Sequence, residues 1–413
     1  MLENQRQQIV VWTALLFLLA CQTTAAWAQN SNSSRVEFFQ GSVINSGRVV
    51  GLGGAFVSVA EGGDGYLSNP ASYANRPSLA KDEQWDWDFA YSFVESTPDD
   101  DIELQRSELG NNYTRAIRLY MGLNVFIKRH GFGIYILSQG NEFDGPPISN
   151  YPTIRYNQTN YGLGYAYGFL EGDLVLGLNI VQGLAWFQGG DKNGDFHEIN
   201  NTTISEGAGF HVGALWAPCG ENHRIGVTLR TPTTAERSAT HQDDQHSPPV
   251  PDLAGLRVPN ELHIPWQLAI GASRTVGPRP YNACRTFGIT ENRSPTKNID
   301  RRYILFSADL VVTGASPGAI GLSSFLSGTT EPSGQSPSLS VHLGAESEAI
   351  HNLLILRGGA YYEPSRLIRT EGRLHVTGGL AVRLPLVRDW RLGVSFDWAE
   401  DYLNAGLGFG FWY

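Results

Sequence analysis

The sequence predicts an all-β protein: a transmembrane antiparallel up-and-down β-barrel of about fourteen strands with an N-terminal hatch (plug). Three observations lead there: the alternation of the last eleven residues, its recurrence along the chain, and the unequal lengths of the connections.

In the terminal run, Leu403, Ala405, Leu407, Phe409, Phe411 and Tyr413 share one face, and Asn404, Gly406, Gly408 and Gly410 share the other. Successive side chains of a strand point to opposite faces, so one face is apolar and the other polar or empty. A soluble edge strand of this kind would leave a long hydrophobic edge open to aggregation, whereas a lipid-facing strand would not. The run closes on an aromatic, and Phe411 and Tyr413 are expected to serve as the tag read by barrel assembly machinery.

The same period recurs from Trp85 onward. Trp85, Trp87, Phe89, Tyr91 and Phe93 alternate with Asp86, Asp88, Ala90 and Ser92. Ile117 to Ile127 and Thr159 to Phe169 repeat the pattern, with Gly162, Gly164, Ala166 and Gly168 on the second face. Further strands are expected near 131–139, 173–187, 207–217, 223–231, 264–276, 301–313, 338–346, 353–362, 371–383, 389–398 and 403–413. The even total is what single-chain bacterial barrels show. After the even strands the connections are short, as in Lys128-Arg129-His130 and Leu170-Glu171-Gly172. After the odd strands most are long and polar, as at 95–113, 140–156, 188–206, 232–263 and 314–337. Barrels keep short turns on the periplasmic rim and long loops outside, and only 277–300 breaks this parity. Trp186, Trp216, Trp266, Trp390 and Trp398 sit near strand ends, where interfacial girdles belong.

The other end fits export. Arg6 precedes an apolar run from Ile9 to Ala20, and Ala26-Trp27-Ala28 supplies a small-x-small cleavage pattern, so residues 1–28 read as a signal peptide. Leu18-Leu19-Ala20-Cys21 offers a competing site with Cys21 lipidated. The run is shorter than the ~20 apolar residues of a spanning helix. A net charge of −10 without a basic patch argues against nucleic acid. Beyond the signal only Cys219 and Cys284 remain, so neither a disulfide scaffold nor a cysteine zinc site is expected. By strand count both fall on the periplasmic rim, where the oxidising compartment allows a bridge. The expected location is the outer membrane of a Gram-negative-type bacterium, with outer-membrane lipid as the surrounding partner.

Residues 29–84 differ from the barrel at 85–413. The run Gly47-Arg-Val-Val-Gly51-Leu-Gly53-Gly54-Ala-Phe-Val continues through Asp64 to Asn69-Pro70-Ala71. Phe56 replaces the third glycine of a dinucleotide fingerprint, so phosphate binding is not expected. A short helix around Ala55–Ala60, glycine turns and an Asn-Pro stop fit a plug that folds by filling a lumen, since so short a piece cannot bury a core alone.

This run, with Gly51, Gly53, Gly54, Asn69, Pro70 and Ala71, resembles the hatch of the long-chain fatty acid and hydrocarbon transporters of the outer membrane (FadL type). Leu229-Arg230-Thr231-Pro232, Trp266 to Gly271, and His342-Leu-Gly344-Ala-Glu346 with Leu356-Arg357 to Pro364 are similar too. The hatch motif is shared with a sister group of barrels that serve protein secretion systems, which leaves a non-catalytic scaffold as the alternative. The resemblance implies passive passage of hydrophobic small molecules with sideways release through a wall opening near the third strand. There Gly131, Gly133 and Gly140 flank a strand followed by Gly145-Pro146-Pro147.

Inward positions carry Arg118, Arg230, Arg357, Arg383 and Arg391 with Asp309, Glu346 and Asp397. A lumenal arginine can grip a ligand carboxylate with two parallel hydrogen bonds, or hold the plug through lumen acids and hatch carbonyls. The candidate ligand-binding set is Arg118, Tyr120, Phe126, Arg230, Arg357 and Tyr361, the aromatics lining an apolar pocket. Asp191-Lys-Asn193-Gly-Asp195 lacks the glycine and distal glutamate of a calcium loop and reads as a solvated turn. Ser340, His342 and His375 share inward faces, but nothing marks a nucleophile, and no cofactor is expected.

Overall fold

The computed structural model describes residues 35–38, 41–75, 85–96, 113–144, 152–191, 195–198, 204–206, 208–237, 261–278, 280–282, 303–326, 330–368, 370–384 and 390–411. The expected signal peptide with Cys21 and Ala28, the Gly145-Pro146-Pro147 segment, Cys284 and Tyr413 lie outside them. Among the described residues no helix is long and apolar enough to cross a membrane.

Among the described residues twenty strands follow in order. They are β1 (Arg35–Glu37), β2 (Trp85–Ser96), β3 (Tyr113–Ile127), β4 (His130–Asp144), β5 (Thr153–Phe169), β6 (Leu174–Gly190) and β7 (Phe196–Glu198). Then come β8 (Ile204–Glu206), β9 (Gly209–Trp216), β10 (His223–Arg230), β11 (Thr233–Arg237), β12 (Glu261–Ile264), β13 (Gln267–Val276) and β14 (Ile304–Thr313). The last are β15 (Ile320–Gly321), β16 (Ser338–Ile350), β17 (Leu354–Glu363), β18 (Arg373–Arg383), β19 (Trp390–Ala399) and β20 (Tyr402–Phe411). Fourteen of these, β2 to β6, β9, β10, β13, β14 and β16 to β20, build a closed antiparallel barrel. Closure is made by β20, which pairs with β19 on one side and with β2 on the other, from Ala90↔Gly410 to Ser96↔Asn404.

The period-two pattern sorts residues as their chemistry demands. Outward positions such as Ile134, Leu163, Leu178, Ile270, Leu343 and Leu407 are exposed, while Asn124, Asn179, Asp309 and Asn404 are buried on the inner face. So much exposed apolar surface on a wall without edges is a lipid-facing belt. Where first and last strands meet, Trp390 stacks on Phe409 at 4.5 Å and on Phe411 at 4.4 Å, with Trp87 edge-on to Phe411 at 4.7 Å. The terminal aromatics thus close the barrel as well as facing the membrane.

The connection that broke the parity is long in fact. β13 and β14 pair in register from Gln267↔Thr313 to Val276↔Ile304, so the chain between them belongs to the short-turn rim. Part of it folds back there: Gly220 N–H donates to Asn282 O (2.9 Å) and Asn282 N–H to Glu221 O (3.0 Å). The Arg224 guanidinium lies 3.5 Å over the Tyr281 ring. Cys219, beside Gly220 on this rim, is disulfide-bonded.

Residues 41–75 fill the lumen. The hatch helix, α1, is Gly47–Gly51, not the expected 55–60, and ends where Gly53 and Gly54 turn at φ +62° and +80°. Only glycine adopts that conformation without strain, so the helix stops there and 55–60 continue as turns. Asn69-Pro70 likewise starts a helix instead of stopping one. Asn69 caps the 3₁₀ turn Pro70–Ala74 by accepting from Ala71 N–H at 3.0 Å, and proline at the first position loses no hydrogen bond.

The wall makes room for this plug with small inward residues. A side chain at Gly164 would overlap the Tyr73 ring, and one at Gly177 would overlap the Pro70–Ala71 backbone. The empty inner face of β5 and β6 is therefore the imprint of the hatch. At the opposite mouth, β1 runs parallel between β12 (Val36↔Leu262) and β15 (Val36↔Ile320). There Val36 and Phe38 pack with Tyr156, Phe187, Leu262, Leu322 and Phe325 in an apolar cluster, the last two from the short helix α2 (Leu322–Leu326).

Gly164→Leu should displace Tyr73 and lower the melting temperature of the detergent-solubilised barrel. Overpacking of this kind costs ~1–3 kcal/mol. An unchanged melting temperature would mean that the hatch does not seat as described.

Candidate functional site

The hatch is held by wall side chains aimed at its backbone. Val57 N–H donates to Asp309 Oδ2 at 2.8 Å, Gly63 N–H to Asp88 Oδ2 at 2.6 Å, and Asn124 Nδ2 to the Tyr73 carbonyl at 2.7 Å. A plug with little secondary structure has many backbone groups to satisfy, and buried ones left unpaired are costly.

A buried charge network adds to this. Arg48 of the hatch sits 2.7 Å from Glu346 and 3.0 Å from Glu61. Arg357 lies 2.6 Å from Glu346, Arg224 lies 2.7 Å from Glu61, and Tyr303 donates to Glu346 at 2.7 Å. Arg391 pairs with Asp64. A second network joins Tyr361 to Asp397 (2.6 Å), His375 to Asp397 (2.7 Å) and to Glu363 (2.8 Å), and Arg373 to Glu363 (2.6 Å). Ser340 reaches His342 Nε2 at 2.7 Å, but His342 Nδ1 is spent on the Gly53 carbonyl at 2.7 Å, so the pair anchors the hatch turn.

Between hatch and mouth cluster lies a cavity of about 240 Å³. Val43, Ile44 and Leu67 of the hatch and Leu137, Ile264 and Val311 of the wall supply apolar surface, and Gln139, Gln158, His211, Arg230 and Gln267 supply polar groups. Of the six expected ligand residues, Arg230 alone lines this cavity. Arg118 and Tyr120 border a separate small void, and Tyr120 donates to the Gly63 carbonyl. Arg357 is consumed by Glu346 and Tyr361 by Asp397, so both brace the hatch. Phe126 is half-buried next to the short turn at 128–129, away from the cavity lining.

Arg230 differs from Arg357 and Arg391, which pair with Glu346 and Asp64. Its Nη2 donates to the Leu67 carbonyl at 2.9 Å, and no carboxylate among the described residues pairs with it. Cross-strand register sets His211 and Gln267 on either side of it. His211 is buried, its Nε2 bonded to Thr228 and its Nδ1 without a partner among the described residues. His211 and Gln267 escaped sequence reasoning because only interstrand register, which no single strand displays, aligns them with Arg230.

The opening expected near the third strand is not formed. β4 pairs with β5 without a missing rung from His130↔Tyr167 to Asp144↔Thr153, and with β3 from Ile127↔His130 to Arg115↔Glu142. Gly131 and Gly133 are small because Tyr73 of the hatch lies against them, and Gly140 pairs on both sides, with Ile117 and Asn157.

A closed fourteen-stranded wall, an internal hatch and a lumenal cavity define the class of plugged transmembrane β-barrels. The fold is shared with the Pseudomonas putida toluene transporter TodX, at a TM-score of 0.54 and 12% identity over 91% of this chain and 99% of that one. It is shared also with the Ralstonia pickettii toluene transporter TbuX (0.54, 13%, 89% and 98%) and a Pseudomonas aeruginosa FadL homologue (0.53, 12%, 90% and 98%). The resemblance to FadL-type barrels read from the hatch thus extends to the architecture. No protein-family model and no curated protein sequence matches the chain.

The hatch clamp carries a pH signature. Burial pushes the Asp64 carboxyl up, but Arg391 and Arg48 beside it prevail and hold it below the usual carboxylate range. Its stabilisation is therefore present above the unfolded value of ~3.9 and lost as pH falls through the lower folded value. Melting temperature should show no Asp64-dependent change between neutral pH and about pH 5, and Asp64→Asn should remove part of the loss seen at greater acidity. An identical acid profile in that variant would contradict the clamp.

Proposed function

We propose that the protein is a passive outer-membrane channel for small hydrophobic compounds, which lodge in the cavity between hatch and mouth and leave sideways into the membrane. The observation that carries this is the cavity itself, which lies inside a plugged barrel, is lined by aliphatic and polar side chains, and holds Arg230, with which no carboxylate among the described residues pairs. A dry engineered cavity of about 150 Å³ accepts benzene. A volume of about 240 Å³ therefore suits a single ring or a short chain. The toluene transporters that share the fold are named for ligands of that size.

Arg230 sets the finer preference. A partly buried guanidinium with no counter-charge among the described residues favours a ligand that brings one, and its fork geometry matches a carboxylate. A fatty-acid-like or aromatic acid would place its head at Arg230, flanked by His211 and Gln267, and its apolar body against Val43, Ile44 and Leu137. A gradient and partition into lipid suffice as the driving force, and no step requires catalysis.

Calorimetry on the purified full chain tests this. Arg230→Met should weaken benzoate binding by about 10- to 100-fold, as loss of a charge-assisted hydrogen bond implies, while toluene binding stays within about twofold. Equal losses for both ligands would remove the carboxylate preference. Absence of binding of either to the unaltered protein would remove the cavity as a ligand site.

A further inference from the structure

The ladder of the wall fails at one place that abuts the cavity. Between β10 and β13 pairing ends at Arg230↔Gln267, and between β11 and β12 it resumes at Thr233↔Ile264 in the same register. The two intervening rungs, Thr231 with Trp266 and Pro232 with Pro265, are unpaired, and the unchanged register sets the two prolines directly opposite each other. Neither proline has an N–H, so this rung cannot close by any side-chain adjustment. Proline is otherwise confined to sheet edges and bulges.

The facing of side chains marks the same point. In β10, even-numbered residues such as Thr228 and Arg230 line the cavity, whereas in β11 the odd-numbered Ala235 joins the mouth cluster. In β13, odd-numbered Gln267 and Ala269 face the cavity, whereas in β12 it is Leu262 and Ile264 that face inward. Alternation inverts in both strands across the same two rungs, so both bend together as a hinge. On the neighbouring side Thr231 N–H bonds Phe210 O at 2.8 Å, and β11 pairs with β8 from Ala235↔Glu206 to Arg237↔Ile204. On the far side Gly314 N–H donates to Trp266 O at 2.8 Å, which continues the β13–β14 ladder by one rung past Gln267↔Thr313.

The seam connects the two spaces a ligand must join. On its inner side are Arg230, Ile264 and Gln267 of the cavity. On its outer side the apolar belt ends one outward row below, where Leu268, Val312 and the exposed Leu339 stand in register. We propose that this proline-faced seam between β10–β11 and β12–β13 is the lateral port through which apolar ligands pass between the cavity and the membrane. The proposal rests on the transport reading of the cavity and places its exit far along the sheet from β4. Parting the strands here breaks no ladder bond at the proline rung, and an apolar ligand that leaves this way emerges at the edge of the apolar belt.

Uptake of N-phenyl-1-naphthylamine, an apolar fluorophore that brightens in lipid, by intact cells carrying the full chain tests the port. Directly opposed residues of an antiparallel pair lie close enough for a disulfide. A Pro232→Cys/Pro265→Cys staple should therefore slow uptake by about tenfold, with binding of the same fluorophore to the purified protein retained. A control staple across an intact outward rung, Ala272→Cys/Ala308→Cys, should leave uptake unchanged. Pro232→Thr/Pro265→Thr supplies the missing donors without a crosslink and should also slow uptake, which keeps the test decisive where the staple hinders assembly. Wild-type rates in the threonine pair or the proline staple, with wild-type uptake above that of cells lacking the protein, overturn the port alone. Wild-type uptake no faster than that of cells lacking the protein overturns the transport reading beneath it.

Discussion

The rest of the structure depends on the fit between a hatch that cannot fold alone and a wall emptied to receive it. Some thirty-five residues with two short helical turns and one five-residue helix bury no core of their own. Besides a few bonds within the hatch, such as Asn69 to Ala71 and Asn75 to Ala60, their hydrophobic side chains and backbone polar groups find partners on the inner face of the barrel. The wall answers with glycine where the hatch backbone comes close, as at Gly177, and with Asp88, Asp309 and Asn124 where that backbone offers a donor or acceptor. Neither partner is complete without the other, because an open lumen of this width would admit water to every inward group.

That fit decides which inward residues remain for a ligand. Arg48, Arg224, Arg357 and Arg391 are committed to Glu61, Glu346 and Asp64, and breaking any such pair would leave a buried charge uncompensated, at ~3–5 kcal/mol. Arg230 stands at the upper end of the hatch, on the side of the mouth cluster that holds Val36 and Phe38, and donates to the Leu67 carbonyl. The cavity is the space left between two plugs. Arg230, with which no carboxylate among the described residues pairs, lies beside the rungs where the two prolines face each other.

Local periodicity made the fold legible. Alternation in single strands and the lengths of connections are properties of short segments, and both carried through to the closed barrel. The long connection at 277–303 shows that the parity rule is a tendency: its register was correct and the chain there is simply long. The site was less legible because its pairings are long-range. Arg357 and Tyr361 looked like ligand residues until Glu346 and Asp397 were placed beside them, and Arg48 meets Glu346 from the far end of the sequence. Glycine at 131 and 133 suggested a weak wall, yet it reflects the bulk of Tyr73. The prolines that do interrupt the wall, Pro232 and Pro265, belong to different strands, and only interstrand register sets them opposite each other.

Single-channel conductance in planar bilayers tests the dependence of the barrel on its hatch most directly. The full chain is compared with a variant lacking residues 41–75, each first shown to be inserted by its heat-dependent gel mobility. The account predicts a baseline near that of bare lipid for the full chain and stable openings that pass small ions for the deletion. Equal conductance in the two inserted proteins would contradict a lumen filled by the hatch.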